Sequence, residues 1–178
     1  MKLRDKLLQK TLKRFGAGSV FELNRIFSRA EQPLFVNGGW NYNNSCLLFN
    51  KIKSALERLP DDCFKGDDLV WKRETLWLWY HHAISIAIGH REIKAARRFA
   101  NTAIALQERG HPNKITRLLW HLVHGRIRQA KRWFREGVKG PDKKTARDVL
   151  SWYKEGYFSS NQERRKKYAK NKRQIPRN

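Results

Sequence analysis

Cysteine, long apolar runs and carboxylates are all scarce in this 178-residue chain. It has two cysteines, Cys46 and Cys63, and basic residues follow the first methionine where a secretory signal would have apolar ones. We therefore expect reduced thiols and a cytoplasmic protein, since disulfide frameworks and signal peptides are typical of secreted chains. The most apolar stretch, residues 76–88, contains two histidines and is too short to span a bilayer. The sequence thus predicts no integral membrane association.

The charge balance is strongly basic, with 39 lysines and arginines against 16 acidic residues and a formal net charge of +23. A folded domain with this charge repels itself unless an anionic partner relieves the field, and polyphosphate is a common partner of this kind. A membrane surface is the rival partner, because anionic lipids attract basic helices by the same law. Hydrophobic residues make up 40% of the chain. This is enough apolar material for a folded core, which argues against a disordered polycation.

Apolar residues recur at helical spacing along most of the chain, with Gly- or Pro-containing segments between these stretches. The pattern predicts an all-α protein of about seven helices, arranged as a helical bundle or a short stack of helical hairpins. We expect a single helical domain over residues 1–160, with a basic amphipathic helix at 2–15 and helical hairpins over 69–158. Residues 161–178 contain eight basic residues, one acid and little to bury, so they are predicted to form a disordered basic tail.

Capping residues and helix breakers predict several boundaries. Ser19 and Glu22 have the spacing of a capping box at the start of the second helix, and Pro33 predicts its end. Residues 69–88 are apolar nearly all round, which predicts the central helix of the bundle. In the following helix, the predicted inward-facing side chains are Ala95, Phe99, Ala103 and Ile104.

A weak internal repeat places Gly89 and Gly125 36 residues apart, each at the junction between an apolar helix and a basic one. Periods in this range are typical of stacked helical hairpins. Gly125, Ala130 and Phe134 resemble the Gly, Ala and Phe spacing of a tetratricopeptide hairpin, and the resemblance covers residues 70–140. It implies a superhelical shape. The lysine and asparagine clamp with which that family binds peptide carboxylates has no counterpart in this sequence.

Two predicted helices carry basic residues at three- and four-residue intervals, a spacing that puts each set on one stripe. Like charges stacked this way destabilise an isolated helix by roughly a few tenths of a kcal/mol per pair, which favours a bound anion over a merely solvated face. Residues 91–178 contain 25 basic and 7 acidic residues, so the expected binding surface lies in this half. The candidate nucleic-acid-binding residues are Arg91, Lys94, Arg97 and Arg98, then Arg128, Lys131, Arg132 and Arg135, and in the tail Arg164, Arg165, Lys166 and Lys167.

Residues 35–44 read FVNGGWNYNN, and their glycines and asparagines predict a structured aromatic loop. Trp40 and Tyr42 are candidates for stacking on unpaired bases, while the asparagine amides read base edges. An equally good interpretation is that Trp40 packs into the core.

Patterns for catalysis or metal binding are weak. The sequence has no CxxC or HExxH motif, and Cys63 with His81 is a poor start for a zinc site. His121 with His124 could act as an acid–base pair, but neighbouring helical histidines are more often ordinary polar groups. The acidic stretch 61–68 is better explained as a helix entry than as a magnesium site. We therefore expect no enzyme activity, no metal and no cofactor.

Taken together, these features predict a non-catalytic protein that binds the backbone of RNA or single-stranded nucleic acid, as a structural subunit beside others in a ribonucleoprotein assembly. RNA is favoured over DNA because no recognition-helix pattern is present and aromatic loops suit unpaired bases. One alternative is a helical-repeat scaffold that binds an acidic protein partner. Another is a membrane-surface protein that uses the helix at 2–15.

Overall fold

The computed structural model describes residues 3–35, 44–107, 113–140 and 142–159. These ranges contain no strand, and the predicted all-α class is confirmed. The described residues form eight α-helices: α1 (Leu3–Arg14), α2 (Val20–Phe35), α3 (Asn44–Arg58), α4 (Asp67–Gly89), α5 (Ile93–Gln107), α6 (Lys114–Val123), α7 (Ile127–Gly137) and α8 (Asp142–Lys154).

The predicted capping box at the start of α2 is present in a modified form, because Glu22 binds the N–H of Gly18 instead of that of Ser19. The Ser19 Oγ accepts a hydrogen bond from the Glu22 N–H at 3.2 Å, and the Glu22 carboxylate accepts one from the Gly18 N–H at 2.6 Å. The predicted end before Pro33 is wrong, because α2 continues to Phe35. Pro33 lies in the last turn of the helix, where its missing N–H removes one intrahelical bond and few residues follow to be disrupted.

The contacts divide the chain into two compact units, Met1–Leu76 and Trp77–Asn178, with the boundary inside α4. The single domain expected over 1–160 stays a prediction. In the first unit α2 packs against α3, and α1 packs against a 3-10 turn at Asp61–Cys63. The buried side chains of this unit include Leu12, Leu23, Phe27, Phe49, Ile52 and Leu56.

The acidic segment of the first unit ties the 3-10 turn to the start of α4. The Lys72 ammonium is buried and binds Asp61 Oδ1 at 2.7 Å, while Arg73 binds Asp61 Oδ2 at 2.9 Å. Hydrogen bonds from Lys72 and then Arg73 hold the pKa of the Asp61 carboxyl below its ordinary value. This geometry agrees with the interpretation of residues 61–68 as a helix entry.

In the second unit α6 packs against α5, α7 and α8. The expectation that residues 69–88 form the central helix stays a prediction, because α4 crosses the boundary between the two units. Trp77, Trp79 and Tyr80 of α4 remain half-buried, because large rings with a polar atom seldom bury completely. The buried side chains of α6 are Ile115, Thr116, Leu118, Leu119, Leu122 and Val123.

The buried face of α5 is displaced by one residue from the predicted one. Ala103 is buried as predicted, but Ala95, Phe99 and Ile104 are only half-buried. Alanine side chains allow close approach of helix axes, so they occupy the line of contact. The buried side chains of α5 are Ile93, Ala96, Ala100, Ala103 and Gln107.

The α4–α5 turn and the α6–α7 turn have the same hydrogen-bonding pattern. In each, the residue after the left-handed position donates its N–H to a carbonyl five residues earlier, at 2.7 Å and 2.8 Å respectively. The left-handed residues are Arg91 (φ 60°) and Gly125 (φ 72°). The same bond also ends α1 at Gly16 and α8 at Gly156, so it is a common helix-terminating turn. The internal repeat that places Gly89 and Gly125 36 residues apart stays a prediction. The resemblance to tetratricopeptide hairpins stays a prediction.

A buried polar contact links α4 to α6. The Nδ1 of His81 lies 2.8 Å from the Oγ1 of Thr116, which is fully buried. Burial, followed by the neighbouring charge of His82, lowers the pKa of His81 to about 4. His81 is therefore neutral at pH 7 and contributes to the core as an uncharged hydrogen-bonding group.

Candidate nucleic-acid interface

The basic stripe predicted on α7 lies on the helix face opposite the buried Ala130. All four of its side chains are exposed. The helix contains one carboxylate, Glu136, which binds the Arg132 Nε at 3.0 Å across one turn. The stripe is thus a set of cations at fixed spacing on one rigid element. Its members are Arg128, Lys131, Arg132 and Arg135.

The predicted stripe on α5 divides into two parts. Lys94, Arg97 and Arg98 are exposed, and the Arg97 Nε donates to the backbone oxygen of Val123 at 2.6 Å. This bond joins α5 to the C-terminal end of α6, where a cation also interacts favourably with the helix dipole. Arg91 differs, because its guanidinium lies over the Tyr157 ring at 5.3 Å and its Nη1 is buried.

The structure adds a feature that sequence reasoning missed, a tryptophan–arginine pair beside these stripes. The indole N–H of Trp120 on α6 donates to Asn101 Oδ1 on α5 at 2.8 Å. The guanidinium of Arg126, in the α6–α7 turn, lies 4.5 Å from the centre of the Trp120 ring. The His124 ring lies 4.9 Å from the same ring, and its Nδ1 is 2.8 Å from the Trp120 backbone oxygen.

A second pair of the same kind joins α6 to α7. The indole N–H of Trp133 donates to the Lys114 backbone oxygen at 3.1 Å. The guanidinium of Arg117 lies 5.4 Å from the Trp133 ring centre. Both tryptophans are half-buried and both indole N–H groups are hydrogen-bonded within the chain, so each ring is held in one orientation.

Basic side chains predominate around the two pairs. Burial, then the charges of Arg117, Arg126 and His124, lowers the pKa of His121. Between Ile93 and Arg135 the sequence contains a single carboxylate, at position 108, which lies outside the described residues. Exposed cations are therefore present on α5, in the α6–α7 turn at Arg126 and on α7.

The local sequence contained one signal for this surface. Arg117, Trp120 and His124 are spaced three and four residues apart, so they share a face of α6. From the sequence alone, ordinary polar groups are favoured over an acid–base pair as the role of His121 and His124. In the structure both rings contact Trp120, at 5.0 Å and 4.9 Å between ring centres.

Several candidate residues lie outside the described part of the chain. They are Trp40 and Tyr42 of the aromatic loop and Arg164, Arg165, Lys166 and Lys167 of the tail. In the described ranges no group of three or more histidine, cysteine or carboxylate side chains is placed to hold a metal ion. None of the helices described is both long enough and apolar enough to cross a membrane. Compared with known proteins, the chain matches no family model, no curated protein and no solved structure.

Proposed function

We propose that this chain binds RNA or single-stranded nucleic acid without catalysing a reaction, as a structural subunit of a cytoplasmic ribonucleoprotein assembly. The exposed stripe on α7 is the observation that carries the proposal. Its four cations are rigidly spaced on one face, and one carboxylate on the helix offsets them. Phosphates relieve the repulsion between these charges, and regularly spaced phosphates match regularly spaced cations.

Helix-borne cations differ from cations on an unfolded segment in what binding costs. The α7 backbone that carries the four cations is already ordered, so little backbone entropy is lost when a ligand binds. A disordered segment loses that entropy on contact and adds mostly non-specific attraction. The stripe on α7, supported by Lys94 and Arg98 on α5, should therefore set the preference among polyanions.

The decisive experiment replaces the four α7 cations by glutamine, which keeps helix propensity nearly constant. The control replaces four exposed cations of α1, so that the net charge falls equally: Lys6, Lys10, Lys13 and Arg14. Binding of a fluorescein-labelled 20-nucleotide single-stranded RNA is measured by anisotropy at several salt concentrations, after circular dichroism confirms folding. The α7 variant should bind more weakly than the α1 variant, and its salt slope should fall by about 0.7 for each phosphate that the protein no longer neutralises.

Equal losses in the two variants would show that net charge alone drives binding, and the proposed site would be wrong. A flat salt dependence of the wild type would contradict the electrostatic basis of the proposal.

A second candidate function is a helical-repeat scaffold for an acidic protein. The exposed cations of α5 and α7 favour it, because an acidic protein would meet the same positive side chains. Competition between the labelled RNA and poly-glutamate of equal charge separates the two functions. Displacement of the RNA at equal charge concentration would favour the scaffold.

A further inference from the structure

We propose that the solvent-facing side of α1 docks on the surface of an anionic phospholipid membrane. Leu3 and Leu7 enter the outer part of the bilayer, and four exposed cations meet the lipid phosphates. The helix lies along the membrane surface and does not cross it. This inference goes beyond the nucleic-acid site proposed on α7 and does not depend on it. The four cations are Lys6, Lys10, Lys13 and Arg14.

The two leucines lie on the side of α1 that faces solvent. Leu3 is 74% exposed and Leu7 is 42% exposed, whereas Leu12 is 2% exposed. Leu12 follows Leu3 by nine residues, or about two and a half helical turns, so the two side chains lie on opposite sides of the helix. Arg4 pairs with Asp62 of the 3-10 turn at 2.9 Å. The helix therefore contacts the first unit through Leu12 and Arg4, and the two leucines remain in solvent.

Basic residues continue the leucine face towards the end of α1. Lys10 follows Leu7 by three residues and Arg14 follows Lys10 by four, so these side chains share one stripe. The one carboxylate of the helix, Asp5, precedes the buried Leu12 by seven residues and lies on that side instead. The solvent-facing stripe thus combines two leucines with cations and contains no acid.

This mixture suits a bilayer surface better than a protein groove or a nucleic acid. A helix that binds in a protein groove presents apolar residues up to position i+7, but the i+7 position after Leu3 is Lys10. A phosphate backbone is bound by cations, and two exposed leucines add nothing to that contact. At a membrane interface leucine side chains enter the acyl boundary, while lysine and arginine extend their charged ends to the phosphates. Anionic lipids strengthen the attraction through the four cations.

The test is co-sedimentation of the full-length chain with vesicles of phosphatidylcholine, with and without phosphatidylserine. The leucine variant combines Leu3→Gln and Leu7→Gln, which removes the apolar contact but keeps the charge and nearly the same helix propensity. Its control combines Leu47→Gln and Val70→Gln, which replace exposed apolar side chains on α3 and α4. All four positions are exposed, so both variants should fold, and circular dichroism checks this.

Two charge variants complete the set, the four-glutamine variants of α1 and α7 that also serve in the RNA experiment. They lose equal net charge from different helices. Any difference between them in vesicle binding therefore reports the position of the cations and not their number.

We expect the wild type to bind vesicles that contain phosphatidylserine much more tightly than vesicles of phosphatidylcholine alone. The leucine variant should lower the partition coefficient about tenfold, and its control should leave it within about twofold. The α1 charge variant should lower it by about a hundredfold or more, since each cation at an anionic surface contributes about fivefold. The α7 variant should lose less, because salt screens cations that do not touch the bilayer.

Several results would overturn the proposal. They are absence of vesicle binding by the wild type, equal losses in the leucine variant and its control, and equal losses in the two charge variants. If the leucine variant weakens RNA binding and leaves vesicle binding unchanged, this face of α1 belongs to the nucleic-acid site instead. The α7 site is judged by RNA binding of the charge variants, so either proposal can fail while the other stands.

Discussion

The half-buried His81 gives the sharpest prediction about stability, and the perturbation that tests it is His81→Asn. Asparagine places a polar atom near the position of the imidazole Nδ1, so the contact with Thr116 Oγ1 at 2.8 Å can be kept. The side chain no longer titrates. The variant therefore separates the proton equilibrium of His81 from its role in packing.

The magnitude follows from the difference in pKa between the folded and unfolded states. The ordinary value is 6.5, and burial lowers the pKa in the folded protein to about 4. The unfolded state therefore binds a proton at a higher pH than the folded state does. Stability is fully present above pH 6.5, falls as the pH drops from 6.5 towards 4, and levels off below that. At about 1.4 kcal/mol per pH unit, the loss between pH 7.5 and pH 4.5 is about 2.5 kcal/mol.

Urea denaturation followed by circular dichroism at these two pH values measures the effect. Carboxylates also titrate in this range, but they are common to both proteins and cancel in the comparison. Wild type should lose about 2.5 kcal/mol more than His81→Asn between pH 7.5 and pH 4.5. The exposed His90→Asn variant controls for the exchange of a histidine and should keep the wild-type loss. Equal losses in wild type and His81→Asn would refute the reasoning.

Two further predictions concern the turn between α6 and α7 and the acidic segment. Gly125→Ala should lower the free energy of unfolding by about 1 kcal/mol, because Gly125 has φ 72° and a new Cβ meets no atom within 4 Å, so only backbone strain is added. Gly89→Ala, at an equally open position without a positive φ, is the control in the same thermal unfolding assay, and an equal loss there would contradict the argument. Asp61→Asn should cost about 2 kcal/mol in urea denaturation, since it leaves the buried Lys72 without its counterion. The control is Asp62→Asn, which removes an exposed ion pair and should cost under about 0.5 kcal/mol. Similar losses for Asp61→Asn and Asp62→Asn would show that burial of Lys72 does not matter.

Features that depend on near neighbours along the chain can be predicted from local sequence. The all-α class follows from apolar spacing within each segment, and the capping box of Ser19 and Glu22 needs only four consecutive residues. The α7 stripe was also predictable. Residues three and four apart share a helix face whatever the helix packs against. The four cations are therefore exposed once Ala130 is buried on the opposite face of α7.

The helix face that turns inward and the distant residues that meet depend on packing between helices. The alanine face of α5 and the central place of α6 depend on the size of the side chains that meet between helices, which local periodicity does not reveal. Trp120 meets Asn101 from another helix, and Trp133 meets Arg117 across the α6–α7 contact. These contacts form because antiparallel packing brings residues far apart in sequence to the same level. The tryptophan–arginine surface is therefore a property of the fold, although each of its residues is visible in the sequence.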